Sequence, residues 1–217
     1  MELWQAFTLW ALLCGLGLVV SLIGEYREST AWSGTGKLIA ASSYIGAALA
    51  LGADESPYGR VLLAGMGFCW LGDLFLVSSQ SRRLFLAGLA SFLTGHLVYV
   101  AAFAVRGIAL PALLGAAVGM VVFGFFVLRW LRPALDARMR VPVGLYVIAI
   151  SAMMAMAAGS YSAHGSLALL LGALLFVISD LAVARNRFVA AGFINRAWGL
   201  PTYFAAQLLL AASVAAS

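Results

Sequence analysis

Charge is scarce in this chain. Only 10% of its 217 residues are charged, and Lys37 is its single lysine. A soluble domain carries about 25% charged residues. Here 64% of the residues are hydrophobic, more than a soluble core of this size can bury, so most of them must face lipid. Cysteine and histidine are nearly as rare, with two of each. Cys14 and Cys69 both lie inside apolar runs, which leaves a disulfide framework unsupported and makes them packing residues. His96 and His164 are too few for a multi-histidine zinc site. A G-x-S-x-G nucleophile elbow is missing, and Ser33-Gly34-Thr35-Gly36-Lys37 lacks the first glycine of a phosphate-binding loop. The net charge of +5 comes from arginines dispersed between apolar segments. They suit orientation in a membrane rather than a nucleic-acid surface.

What is present is a series of long apolar blocks. They do not alternate apolar with polar residues, so they read as helices and not as strands of a transmembrane barrel. The expected architecture is an all-α integral membrane bundle forming one transmembrane domain over 1–217. Its eight helices span about 3–23, 37–51, 61–77, 84–105, 110–128, 141–158, 166–183 and 197–214. The first block opens with Glu2 and no basic residue, and it exceeds the apolar stretch of a signal peptide, so it reads as a retained helix. With both termini on one side, the opposite loops hold Arg27, Lys37, Arg82, Arg83, Arg129, Arg132, Arg138, Arg140, Arg185, Arg187 and Arg196. Only Arg60 and Arg106 remain on the terminal side. The positive-inside rule makes the basic side cytoplasmic and both termini non-cytoplasmic. The use of Ala, Gly and Arg over Lys associates the chain with a GC-rich bacterial genome, and hence with a bacterial inner membrane.

Two of the blocks contain an acid: Gly72-Asp73-Leu74 and Ser179-Asp180-Leu181. An ionised Asp in a membrane helix costs roughly 2.5–3.5 kcal/mol on insertion scales, so it marks a functional site by default. Asp73 lies five residues before Ser78, and Asp180 five before Arg185. At a rise of about 1.5 Å per residue, both sit on the order of 7 Å inside the cytoplasmic boundary. A shift of 107 residues lays Asp73 on Asp180 and His96 on Tyr203. The third and fourth segments then match the seventh and eighth, as in a protein built from parallel repeats. Two acids sharing one cavity can divide labour, one protonated as general acid and the other acting as base on water. The competing reading is structural: each acid caps a neighbouring helix or pairs with an arginine.

Other polar residues lie inside the apolar segments, His96 near the middle of its own. His96 and Tyr99 share a helical face, as do Tyr203 and Gln207, and Tyr146 enters from the cytoplasmic end of its segment. Each can donate a hydrogen bond to a substrate oxygen, or equally bond a facing helix. Lys37, Arg82, Arg83, Arg185, Arg187 and Arg196 form an expected basic rim over the acids. Lys37, taken to open the second helix, is the favoured ligand for a lipid phosphate. Trp198 reads as part of the interfacial aromatic belt, and Gly115-x-x-x-Gly119 as a helix-packing face.

Several stretches taken in order carry a resemblance. Gly72-Asp73, Phe85-Leu86-Ala87-Gly88-Leu89, Phe92-Leu93-Thr94-Gly95-His96-Leu97-Val98-Tyr99, Ser179-Asp180-Leu181, and Tyr203 with Ala206-Gln207-Leu208-Leu209 resemble the YhhN-type lysoplasmalogenases. The likeness runs over essentially the whole chain. It departs at the second segment, where Lys37-Leu38 stands in place of the family's Lys-Pro. The resemblance implies hydrolysis of the vinyl ether bond of a lysoplasmalogen. The products are a fatty aldehyde and a glycerophospho-alcohol, glycerophosphoethanolamine or glycerophosphocholine. Asp73 and Asp180 are then the acid–base pair. Lys37, His96, Tyr99, Tyr146, Tyr203 and Gln207 bind substrate, with no metal or other cofactor. The implied partners are a lysophospholipid and the surrounding lipid, with no nucleic acid. Two alternatives stay open: a proton-coupled transporter of a small molecule or lipid using the same acids, and a non-catalytic lipid-binding scaffold.

Overall fold

A computed structural model describes residues 2–77 and 81–216. Ser78, used above as a depth marker, lies outside them. Eight long helices follow in order: α1 (Glu2–Tyr26), α2 (Thr30–Ala50), α3 (Pro57–Leu76), α4 (Arg82–Arg106), α5 (Leu110–Leu131), α6 (Arg140–His164), α7 (Leu167–Ala184) and α8 (Phe193–Ala212). Among the described residues there is no strand. Seven of the eight helices are long and apolar enough to cross a membrane. The exception is α2, where Thr30, Ser33, Thr35, Lys37, Ser42 and Ser43 dilute the apolar residues.

Local signals set the helix ends. Ser29, Ser56, Ser81 and Ser166 precede α2, α3, α4 and α7, and each side chain accepts a hydrogen bond from the backbone N–H three residues on. This satisfies one of the four orphan donors at a helix start. Pro57 and Pro111 occupy first-turn positions, where a missing N–H is harmless. Gly165 ends α6 at φ 72°, a left-handed cap that a side chain would strain.

The second helix departs from expectation. It begins at Thr30, not near residue 37, because Ser29 caps it. The Ser33-Gly34-Thr35-Gly36 stretch looks like a linker but is helix, and its small residues are contact points. A Cβ on Gly36 would sit 2.3 Å from the Ser21 backbone nitrogen of α1, and one on Gly24 would sit 2.2 Å from that of Ser33. Lys37 therefore does not open a helix. It lies about two turns inside α2 and is 3% exposed. Gly115 and Gly119, by contrast, have nothing within 4 Å of a built Cβ. The expected packing face on α5 meets no other helix of this chain, because α5 lies on the outside of the bundle.

Six helices close a ring in the order α2, α3, α4, α6, α7, α8 and back to α2. Outside it, α1 packs on α2 and α8, and α5 packs on α6. Adding 107 residues carries α1, α2, α3 and α4 onto α5, α6, α7 and α8, with starts agreeing to within four residues. The packing repeats as well. The α1/α2, α3/α4, α2/α3 and α2/α8 contacts recur as α5/α6, α7/α8, α6/α7 and α6/α4. The repeat thus covers both halves of the chain. One contact breaks the pattern: α1 leans on α8, whereas α5 makes no extensive contact with α4.

Candidate functional site

Asp73 stands in the last turns of α3 and Asp180 in the last turns of α7, so both reach the same end of the ring. They line one cavity of about 110 Å³ together with Lys37, Tyr146 and Tyr203. That space exceeds the ~10–15 Å³ needed for one water. The rest of its wall is mostly apolar, with Phe85, Phe92 and Leu89 from α4, Val127 from α5 and Val147 from α6.

Each acid is held by a tyrosine. The Tyr203 hydroxyl donates to Asp73 Oδ2 at 2.6 Å, and the Tyr146 hydroxyl donates to Asp180 Oδ2 at 2.9 Å. Behind Tyr203 runs a directed chain. The Tyr99 hydroxyl donates to Gln207 Oε1 at 2.8 Å, and Gln207 Nε2 donates to Tyr203 Oη at 3.3 Å. With its amide fixed in this way, Gln207 leaves the Tyr203 proton free to point at Asp73. Tyr44 adds a second support, its hydroxyl lying 3.4 Å from Tyr203 Oη and donating to the Met66 carbonyl at 3.3 Å. Such buried networks orient their members only when every polar group finds a partner.

His96 is fully buried, with its ring edge-on to Phe176 at 4.7 Å and Tyr146 at 5.2 Å between centroids. Its Nε2 lies 3.5 Å from Asp180 Oδ2, longer than a good hydrogen bond, and both ring nitrogens lack a well-aligned partner. The repeat is visible here too. Asp73 of the first half is met by Tyr203 of the second, and Asp180 of the second half by His96 of the first. Both pairs are related by the same shift of 107 residues.

The eight singled-out residues thus separate into a wall and a backing. Lys37, Asp73, Tyr146, Asp180 and Tyr203 line the cavity, while His96, Tyr99 and Gln207 stand behind it. Lys37 is close enough to Asp73 to interact with it electrostatically. The expected basic rim contracts to Lys37 and Arg196 on the cavity wall. Arg187 stacks on the Phe85 ring at 4.2 Å, and Arg185 Nη1 donates to Asn195 Oδ1. Arg196 pairs with Glu25 of α1 at 3.6 Å, and Glu25 also accepts from the Ser33 hydroxyl at 2.7 Å. These links tie the start of α8 to the hairpin that carries Lys37.

Sequence reasoning passed over Asn195 as a site element. It is buried, and its Nδ2 donates to Asn186 Oδ1 at 3.1 Å and to the Ala190 carbonyl at 2.7 Å. It thereby shapes the turn between α7 and α8 along the cavity wall. Only the polarity of Asn186 and Asn195 flanking an apolar loop hinted at this. Cys14 and Cys69 are buried and free.

The sequence model of the YhhN family matches residues 33–214. The chain belongs to the YhhN family. Two curated relatives carry a further name. This YhhN protein is 34% identical over 168 residues to the Homo sapiens lysoplasmalogenase TMEM86A, covering 74% of its own length and 68% of the relative's. It is 32% identical over 167 residues to the Bos taurus protein of the same name, with the same coverage. No solved structure matches it.

Proposed function

We propose that this YhhN protein is a lysoplasmalogenase that cleaves the vinyl ether of a single-chain lipid by acid–base chemistry between Asp73 and Asp180. The supporting observation is that the two carboxyls line one small, largely apolar cavity, each tied to its own tyrosine, in a chain related to proteins named lysoplasmalogenase. One carboxylic acid gives a proton to the vinyl carbon remote from oxygen. The double bond's electrons bind that proton, and positive charge develops on the carbon bonded to oxygen. The second carboxylate takes a proton from water as the water adds there, giving a hemiacetal. The hemiacetal then loses its hydroxyl proton, the carbon–oxygen bond to glycerol breaks, and the leaving oxygen is protonated. The net reaction consumes one water and yields an aldehyde and a glycerophospho-alcohol. Tyr203 and Tyr146 fix the carboxyl orientations, Tyr99 and Gln207 hold Tyr203 from behind, and the His96 ring packs edge-on against Tyr146 beside Asp180.

In this reading all eight helices span the bilayer, both termini are non-cytoplasmic, and the cavity opens at the basic, cytoplasmic end. In a bacterial cell that membrane is the inner one. Lys37 holds the phosphate by a charge-assisted hydrogen bond. Lys37→Met is therefore expected to raise KM about tenfold for the phosphate-bearing substrate, in line with a bond of roughly 1.5–3 kcal/mol to a charged group. An alkenylglycerol without phosphate should show no such rise. Equal loss on both substrates would remove Lys37 from phosphate binding.

The two-fold repeat favours one other reading, a proton-coupled transporter with the same acids. Purified protein decides between them. Aldehyde release from a lysoplasmalogen in detergent supports the hydrolase, whereas proton movement in sealed vesicles without any aldehyde supports the transporter.

A further inference from the structure

One side of the cavity adjoins the outer surface of the bundle. Phe123 and Val127 of α5 and Leu181 of α7 line both the cavity and a shallow groove on the outer surface of the bundle. The groove is completed by Phe126 and Trp130 of α5, Trp198 at the start of α8, and Arg185 at the end of α7. Phe126 is 61% exposed, so this surface meets lipid. No extensive helix contact closes the gap, since α5 packs along α6 and not along α7 or α8. Its counterpart α1 is docked on two helices of the ring. Of the two equivalent outer helices, α1 packs on two helices of the ring and α5 extensively on one.

We propose that this window between α5 and α7 is the lateral entrance through which a single-chain lipid passes from the bilayer into the cavity, and by which the apolar product leaves. The proposal rests on the lysoplasmalogenase reading and names the route its substrate takes. The chemistry of the groove suits one class of occupant. Its floor is apolar and continuous with the apolar cavity wall, so a hydrocarbon chain crosses without meeting water. At its basic end Arg185 offers a cation to a phosphate. The two tryptophans lie at the same end, where amphipathic rings settle at headgroup level. A lipid held there keeps its headgroup at the interface while its chain turns inward past Phe123 and Leu181. Its vinyl ether lies just below the glycerol, at the depth of the acids.

The test uses the whole chain in two experiments. In the first, a lysophosphatidylcholine with a photoreactive group at the end of its chain is incorporated into phosphatidylcholine vesicles with the wild-type protein and illuminated. Label on the facing surfaces of α5 and α7 is expected. Label confined to other helices, or chain-to-chain cross-links through this groove that exclude the lipid, would overturn the route. This measurement needs no turnover, so it stands even if no aldehyde is ever released, the result that would sink the hydrolase reading instead.

In the second, Phe126→Cys and Trp198→Cys are introduced together and bridged with a bismaleimide. Both positions lie on the groove and outside the cavity wall, and Cys14 and Cys69 are buried. Bridging should reduce turnover of a long-chain lysoplasmalogen at least tenfold relative to the same protein capped with N-ethylmaleimide. A water-soluble substrate with a four-carbon chain, which needs no route from the bilayer, should keep its rate. Undiminished long-chain turnover in the bridged protein, or equal loss of both substrates, counts against the window.

Discussion

Asp73→Asn and Asp180→Asn are each expected to lower aldehyde release by about 10³-fold, with the folded protein intact. A positioned general acid or base contributes roughly 10²–10⁴ in rate. Asparagine keeps the size of the side chain, and its carbonyl still accepts from Tyr203 or Tyr146. It can neither give nor take the proton. The unchanged size also keeps folding out of the comparison, which thermal unfolding and gel filtration check directly. The double variant should be little worse than either single one, because residues that act as a unit lose their effect together. Near-wild-type release from both single variants would mean a hydrolase whose acid and base are not these two carboxyls. A product of two independent losses in the double variant would mean that the acids do not share one reaction step.

The second large effect is on folding. Gly36→Ala is expected to lower the melting temperature by roughly 10 °C or to prevent accumulation of folded protein. The added Cβ would lie 2.3 Å from the Ser21 nitrogen and 2.6 Å from the Gly17 carbonyl oxygen. Both neighbours are backbone, so no side chain can swing away and α1 must move bodily. Overpacking of this kind costs about 1–3 kcal/mol or more, and in a membrane close backbone approach is a main source of helix association. Because Gly36 adjoins Lys37, surviving protein should also show a raised KM. Gly115→Ala and Gly119→Ala serve as controls. With open space at both Cβ positions, they should leave the melting temperature unchanged or slightly raised. A neutral Gly36→Ala, measured by thermal unfolding in the same detergent, would refute the tight α1–α2 seam.

The glycines illustrate how far a linear reading reaches. G-x-x-x-G spacing marks a helix face that permits close approach, but permission is not contact. Gly115 and Gly119 have the spacing and meet no helix of this chain, whereas Gly17, Gly24 and Gly36 make the seam with a less regular pattern. The same ambiguity hid the start of α2. Ser, Gly and Thr are the residues of a linker, and they are equally the residues of a helix pressed against its neighbour. Which of the two applies depends on what lies opposite. His96, Tyr99 and Gln207 were legible as polar residues within apolar segments. Their place behind the cavity wall depends on the rotation of α4 and α8 in the ring.

The linear order of residues was enough to determine an all-helical, lipid-facing chain, a basic end, and two acids at matching depth in matching helices. These follow from composition and from one-dimensional periodicity, because lipid burial, charge asymmetry and rise per residue are additive along a chain. The tertiary structure alone decided that the repeat extends over both halves and that a tyrosine meets each acid. It also decided that Lys37 is enclosed, and that α5 packs on one ring helix where α1 packs on two. Each of these depends on the helix that happens to lie opposite. That choice is made by close packing between segments far apart in the chain, and no local pattern encodes it.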